Sequence, residues 1–285
     1  MYMSGSNVSA LVNCLILSCC IYNLNSTLNI NTYFPKVLHS YIEAFKVYHF
    51  EEEGEVHLYP KGVFEIVFQS QHSFQHNTDY SSGWELRPRN FIGGLHNKSY
   101  YVNPGRSQNY CIVVEFKPNT AKYFIPEKLH VFQNAVIDIF DIWGKSARKL
   151  AQKIDAEKFD NHKIEHIEDF LIHKLSRTNE SIIDLAIGSL INYKGFIEVT
   201  AMAHHAGLSS SQFRKRFKEE VGISPSQYCK IVRVNSSLSI MQKNNHRSLT
   251  QITYELGYFD QSHFIKDFKS IMGRSPTAFL QESVF

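Results

Sequence analysis

The stretch GLSSSQFRKRFKEEVGISP, Gly207–Pro225, returns as GYFDQSHFIKDFKSIMGRSP, Gly257–Pro276, so the last part of the chain writes one unit twice. Phe213 and Phe264, Phe217 and Phe268, Gly222 and Gly273, and Pro225 and Pro276 keep one constant offset of 51 residues, while the leading glycines are 50 apart. The second copy therefore carries one extra turn residue. In the first copy Val199, Met202 and Ala203 form an apolar stripe at helical spacing. Gly207 ends it, because glycine tolerates the left-handed conformation of a helix terminus. Ser209 and Gln212 then have the S-x-x-Q spacing of a capping box, which predicts a second helix start. On that helix Phe213 and Phe217 face inward and leave Ser211, Arg214, Lys215 and Lys218 on other faces. Helix, glycine turn and basic helix read as a helix-turn-helix.

The second copy follows the same logic with Leu249 and Ile252, the break at Gly257, Asp260 as N-cap, and Phe264 and Phe268 buried. Gln261, Ser262, His263, Lys266 and Lys269 stay outside the phenylalanine stripe. Each copy closes on Gly-x-Ser-Pro, in which Ser224 or Ser275 caps a new helix and Pro225 or Pro276 takes its first position, where no N–H is needed. Between the copies, Pro225 to about Gln242 reads as one helix, with Tyr228, Ile231, Leu238 and Met241 at roughly helical intervals. At about 1.5 Å per residue it spans about 27 Å. A rigid connector of that order suits two helices entering successive major grooves, which lie about 34 Å apart along one face of DNA.

The segments AMAHHAGLSSSQFRKRFKEEVGISPSQY, IVRVNSSLSIM and QITYELGYFDQSHFIKDFKSIMGRSPTAF together resemble the double helix-turn-helix domain of the AraC family of bacterial transcription regulators, over about Glu180 to Glu282. The resemblance implies that the outward positions of the two recognition helices read bases: Ser211, Arg214 and Lys215 in one, Gln261, Ser262, His263 and Lys266 in the other. The chemistry agrees, since Arg or Lys donates to guanine O6 and N7 and Gln pairs with adenine N6 and N7. Lys218 and Lys269, a turn further on, are placed for phosphate. His263 stays open between groove contact and surface residue, and His204, His205 and His246 read as solvated. Ser237 and Thr253 stand where the family usually has alanine, which puts tight helix packing in question there. The resemblance further implies double-stranded DNA and RNA polymerase as partners, a homodimer, no cofactor, no enzymatic activity, and a cytoplasmic setting.

The formal charge of +3 is uneven along the chain: residues 1–177 hold 18 basic and 18 acidic side chains, and residues 178–285 hold 12 and 9. All the excess lies in the duplicated half, where it favours phosphate. Five cysteines, at 14, 19, 20, 111 and 229, give no C-x-x-C pair and no zinc spacing. No cysteine sits in a recognisably reactive setting, which weighs against the DNA-repair methyltransferases that share this type of module. Residues 1–35 carry no charged side chain, and Val8–Leu24 is mostly apolar. A membrane helix wants about 20 predominantly apolar residues, and a secretory signal wants a basic n-region. A disordered extension or a translation start placed too early is preferred to either, so membrane is not expected as a partner.

From about Lys36 to Pro118 short runs rich in Val, Ile, Phe and Tyr, such as EVHLYP, VFEIVFQ and NYCIVVEFKP, read as antiparallel strands. Apolar residues on both faces of VFEIVFQ suit a barrel or sandwich. From Asn134 to about Arg177, Val136, Ile139, Phe140 and Trp143, then Leu150 and Ile154, then Ile164, Ile167, Phe170 and Leu171 predict two or three amphipathic helices. The fold class expected is α+β in two domains: an antiparallel, cupin-like β-barrel over residues 36–132 with helices over 133–177, then an all-α double helix-turn-helix over 178–285. HLYPKGVFEIVFQ, FIGGLHNKSYYV and VEFKP resemble the β-rich domain in front of one branch of AraC-type regulators. That implies a domain that senses a small molecule or, alternatively, a ligand-free dimerisation or docking module. His57, His72, His76 and His96 are scattered, with no H-x-H and following carboxylate, so no metal is expected. Trp84, Tyr100 and Tyr101 are either pocket lining or core.

Overall fold

The computed structural model of the chain describes residues 21–23, 28–51, 53–70, 73–77, 83–105, 109–176, 180–243 and 248–282. Residues 1–20, with Cys14, Cys19, Cys20 and most of Val8–Leu24, lie outside them, as do His72 and His246. No helix among the described residues is long and apolar enough to cross a membrane.

Eleven strands among the described residues form two antiparallel sheets. Ile21–Asn23 (β1), Val56–Leu58 (β4), Tyr100–Asn103 (β9), Gln75–Asn77 (β6) and Glu85–Leu86 (β7) lie in that order in one. Val136–Asp138 (β11), Asn90–Gly93 (β8), Glu65–Gln69 (β5), Asn109–Phe116 (β10), Ile42–Phe50 (β3) and Leu28–Tyr33 (β2) make the other. The expected barrel is therefore realised as two open sheets, not closed on themselves, that face each other across an apolar layer. Tyr48, Val67, Phe91 and Val113 of the larger sheet meet Val56, Tyr100 and Val102 of the smaller. Alternation along β10 explains its unbroken apolar run: Cys111 and Val113 look between the sheets, while Ile112, Val114 and Phe116 pack on the helical side. Of the uncharged N-terminal segment, β1 and β2 are strand, not extension; β2 pairs along β3 from Leu28↔Phe50 to Tyr33↔Phe45.

Two helices follow, Ile139–Ala156 (α1) and Asp160–Lys174 (α2). Val136, expected at a helix start, lies instead in edge strand β11, and Asp138 caps α1 by accepting from Phe140 N at 2.8 Å. Glu168 of α2 is 6% exposed and is satisfied by the backbone N–H groups of Lys36, Val37 and Leu38 at 3.2, 2.8 and 3.0 Å, which fixes α2 against the entry to the sheet.

The remaining helices are Ile182–Asn192 (α3), Val199–His205 (α4), Ser210–Val221 (α5), Pro225–Lys243 (α6), Leu249–Glu255 (α7), Gln261–Met272 (α8) and Pro276–Glu282 (α9). Phe213, Phe217, Phe264 and Phe268 are fully buried, each contributing about 1.5–3 kcal/mol of apolar burial. Tyr228, Ile231, Leu238 and Met241 line the buried side of α6. Ser237 and Thr253 are accommodated because each hydroxyl donates back to its own helix, to Val234 O at 2.6 Å and Leu249 O at 2.7 Å. One hydrophobic core runs without interruption from the helical side of the larger sheet through α1 and α2 to α9.

Candidate nucleic-acid interface

Both α5 and α8 begin at a satisfied cap. Gln212 N donates to Ser209 Oγ at 3.3 Å while Ser209 N donates to Gln212 Oε1 at 3.1 Å, and His263 N donates to Asp260 Oδ1 at 2.8 Å. Gly222 and Gly273 end α5 and α8 at φ 104° and 75°, the left-handed region that a side chain resists. Ser224 and Ser275 then cap α6 and α9, accepting from Gln227 N at 3.3 Å and Ala278 N at 3.2 Å.

Between those ends Ser211, Arg214, Lys215 and Lys218 are exposed on α5, and Ser262, His263, Lys266 and Lys269 are exposed on α8. Gln261 is half-buried, and its Oε1 accepts from Thr250 Oγ1 at 3.3 Å, so it is the most constrained of the nine. His263 is held at the helix surface, its ring edge-on to Tyr258 at 5.3 Å and its Nε2 3.8 Å from Asp267. α6 has 19 residues and spans about 28 Å.

Asp267, which sequence reasoning passed over, orients α8. It is 4% exposed and accepts from Arg233 Nη2 at 3.1 Å and Tyr258 OH at 3.3 Å, with Lys230 Nζ at 3.5 Å. Arg233 also donates to Gly195 O at 3.0 Å, so one guanidinium joins α6, α8 and the turn after α3. At the other unit Lys122, in the short 3-10 helix Ala121–Tyr123 after β10, bridges Asp184 of α3 at 2.8 Å and Glu220 of α5 at 2.9 Å. Burial works against the Asp184 carboxylate, but hydrogen bonds from Lys122 and the Ser181 N–H outweigh it and hold its pKa below the ordinary value.

The β domain thus grips the C-terminal ends of both helices. A Cβ on Gly222 would come within 3.1 Å of Leu129 O, and Lys128 pairs with Glu219 at 3.1 Å. Ser99 N, between β8 and β9, donates to Ile271 O at 2.8 Å, and Arg274 donates to His57 Nδ1 at 2.6 Å. None of these contacts has a local sequence signature, because each joins segments far apart in the chain.

A second candidate site lies between the sheets, a cavity lined by residues of both. Its wall includes the turn Tyr59–Val63, and Asn235 of α6 donates from Nδ2 to Pro60 O and Lys61 O of that turn, both at 3.2 Å. Tyr100 is among its lining residues, whereas Tyr101 stacks on His57 at 4.0 Å and Trp84 lies elsewhere. At one end Lys61 pairs with Glu65 at 2.7 Å and Glu115 at 2.5 Å, and Lys46 pairs with Glu115 at 2.6 Å. Burial raises the Glu115 pKa, yet the two ammonium groups outweigh it and the carboxyl stays below its ordinary value.

The family described as "Helix-turn-helix domain" matches residues 202–282, and the one described as "Domain of unknown function (DUF6597)" matches residues 33–138. A probable transcriptional regulator of Photobacterium leiognathi, LumQ, is 31% identical over 106 residues, 37% of this chain and 42% of that protein. The Msm operon regulatory protein of Streptococcus mutans is 28% identical over 120 residues, 41% of this chain and 43% of that protein. The chain spans well under half the length of these curated relatives. Among solved structures, ToxT of Vibrio cholerae aligns over 90% of this chain and 98% of its own, at 11% identity and a TM-score of 0.46.

Proposed function

We propose that this chain, which belongs to the AraC family of transcription regulators, binds two adjacent major-groove segments of promoter DNA through α5 and α8. One observation carries the reading: two capped, basic, phenylalanine-backed helices present their polar faces outward from a single connector helix. Ser211, Arg214, Lys215, Gln261, Ser262, His263 and Lys266 read base edges; Lys218 and Lys269 hold phosphates. Bound there, the chain engages RNA polymerase, and the region of α1 and α2 supplies a homodimer contact.

The β domain modulates this binding through a small ligand. The cavity and the Asn235 clasp on its wall favour that reading over a ligand-free docking module, because any change in the Tyr59–Val63 turn meets the connector helix directly. Selection of binding sites from random DNA, followed by footprinting of the full chain, tests the proposal. Two protected segments about 10 base pairs apart are expected; a single short segment would contradict it.

A further inference from the structure

The two ends of the inter-sheet cavity differ in charge balance. Along β5 the cavity-facing residues are Glu65, Val67 and Gln69, so its ends are separated by about 13 Å of extended strand. At the Glu65 end two lysines and two glutamates neutralise one another. Toward the Gln69 end, Arg87 N donates to Phe74 O at 2.9 Å, and the Arg87 side chain is 5% exposed, with Nε and Nη2 buried and without an acceptor, and with no ion pair among the described residues. Its guanidinium lies 5.2 Å from the Phe91 ring and 4.8 Å from the Tyr100 ring, contacts that hold the charge in place without neutralising it. Gln69 is 3% exposed; its Oε1 accepts from Phe74 N at 2.9 Å, and its Nε2 has no acceptor. His96, on the same wall, has a buried Nε2 without a partner, and burial and the neighbouring Arg87 push its pKa down to about 3, so the ring is neutral.

A buried cation with free donors is costly unless an anion meets it, and its planar fork fits a carboxylate in two parallel bonds. The wall beyond is Phe50, Phe74, Phe91, Val102 and Val113. A sugar or nucleotide would strand its hydroxyls against that wall, and an amine would face the guanidinium.

We infer that the inter-sheet cavity binds a small organic acid, an apolar body bearing one carboxylate, with Arg87 as its countercharge and Gln69 as a second donor. The inference rests on the reading of the β domain as a ligand sensor and adds to it the chemical class of the ligand. Seated there, the acid bears on the Tyr59–Val63 turn, and through Asn235 on the connector between the two reading helices.

The test is calorimetric titration of the full chain with phenylacetate, cinnamate and octanoate against their primary amides, each repeated with DNA present. At least one acid is expected to bind about tenfold or more tightly than its amide, and Arg87→Gln is expected to erase that preference, while Arg87→Lys keeps part of it. If Arg87→Gln does not fold, the Arg87 Nε–Hε resonance of the unaltered chain carries the same test and shifts on adding acid. No acid binding at millimolar concentration, amides binding as well as acids, or an unmoved Arg87 resonance would overturn the assignment. Amides that bind as well as acids and still change DNA affinity would overturn the anion site alone and leave the sensor reading standing. Acids that bind through Arg87 without changing DNA affinity would support the anion site and remove the sensor reading.

Discussion

Arg274, the residue after the glycine that ends α8, donates to Nδ1 of His57 at 2.6 Å, joining the helical domain to the smaller sheet. His57 is 3% exposed, the same Nδ1 lies 2.9 Å from Tyr59 OH, and the ring stacks on Tyr101. An arginine can only donate, so Nδ1 accepts and the neutral ring carries its proton on Nε2. Burial first, and Arg274 second, push the His57 pKa down from 6.5 to about 3.

That depression makes the junction acid-sensitive. Below pH 6.5 the unfolded chain takes up a proton that folded His57 refuses until about pH 3, so the stability present above pH 6.5 is lost progressively as pH falls between those values. His96, also lowered to about 3, adds to the effect. The melting temperature should fall from pH 7 to pH 5, and His57→Gln should flatten that fall in thermal melts across the range. An equally steep profile in the variant would show that His57 does not contribute.

Lys122→Met should loosen the seat of the first unit. The substitution leaves Asp184 and Glu220 without their shared cation, at a cost of about 2 kcal/mol in chemical denaturation. Hydrogen exchange should rise in α3 and α5 more than in α8.

Asp267→Asn keeps the shape and weakens the tie between α8 and Arg233, Lys230 and Tyr258. Footprints of the variant should lose protection in the segment read by α8 and keep it in the segment read by α5. Equal loss in both would mean that Asp267 supports the fold alone.

The helical half was legible because its signals are local. Ser209 with Gln212, Asp260, Gly222, Gly273 and the two Ser-Pro pairs act within one turn of the backbone, and each does in the structure what its spacing predicts. The β half was legible as strands but not in its closure, since register between β8 and β11, or β3 and β2, is set by packing across the sheet. Val136 shows the difficulty: its spacing to Ile139 and Phe140 is helical, yet it belongs to a strand whose end abuts the helix cap. Arg87 was invisible for a related reason. In LRPRN it reads as a loop cation, and only the closing of one sheet over the other buries it with no ion pair among the described residues.

The sequence preference of the full chain on a selected site, measured after Arg214→Ala, Lys266→Ala, Lys218→Ala and Lys269→Ala, decides whether α5 and α8 read different bases. Arg214→Ala and Lys266→Ala should each cost about 1–3 kcal/mol and relax discrimination, at positions one helical turn apart. Lys218→Ala and Lys269→Ala should weaken all sequences alike and lower the salt dependence by about one counterion each. Unchanged sequence preference in both Arg214→Ala and Lys266→Ala would contradict the assigned reading faces.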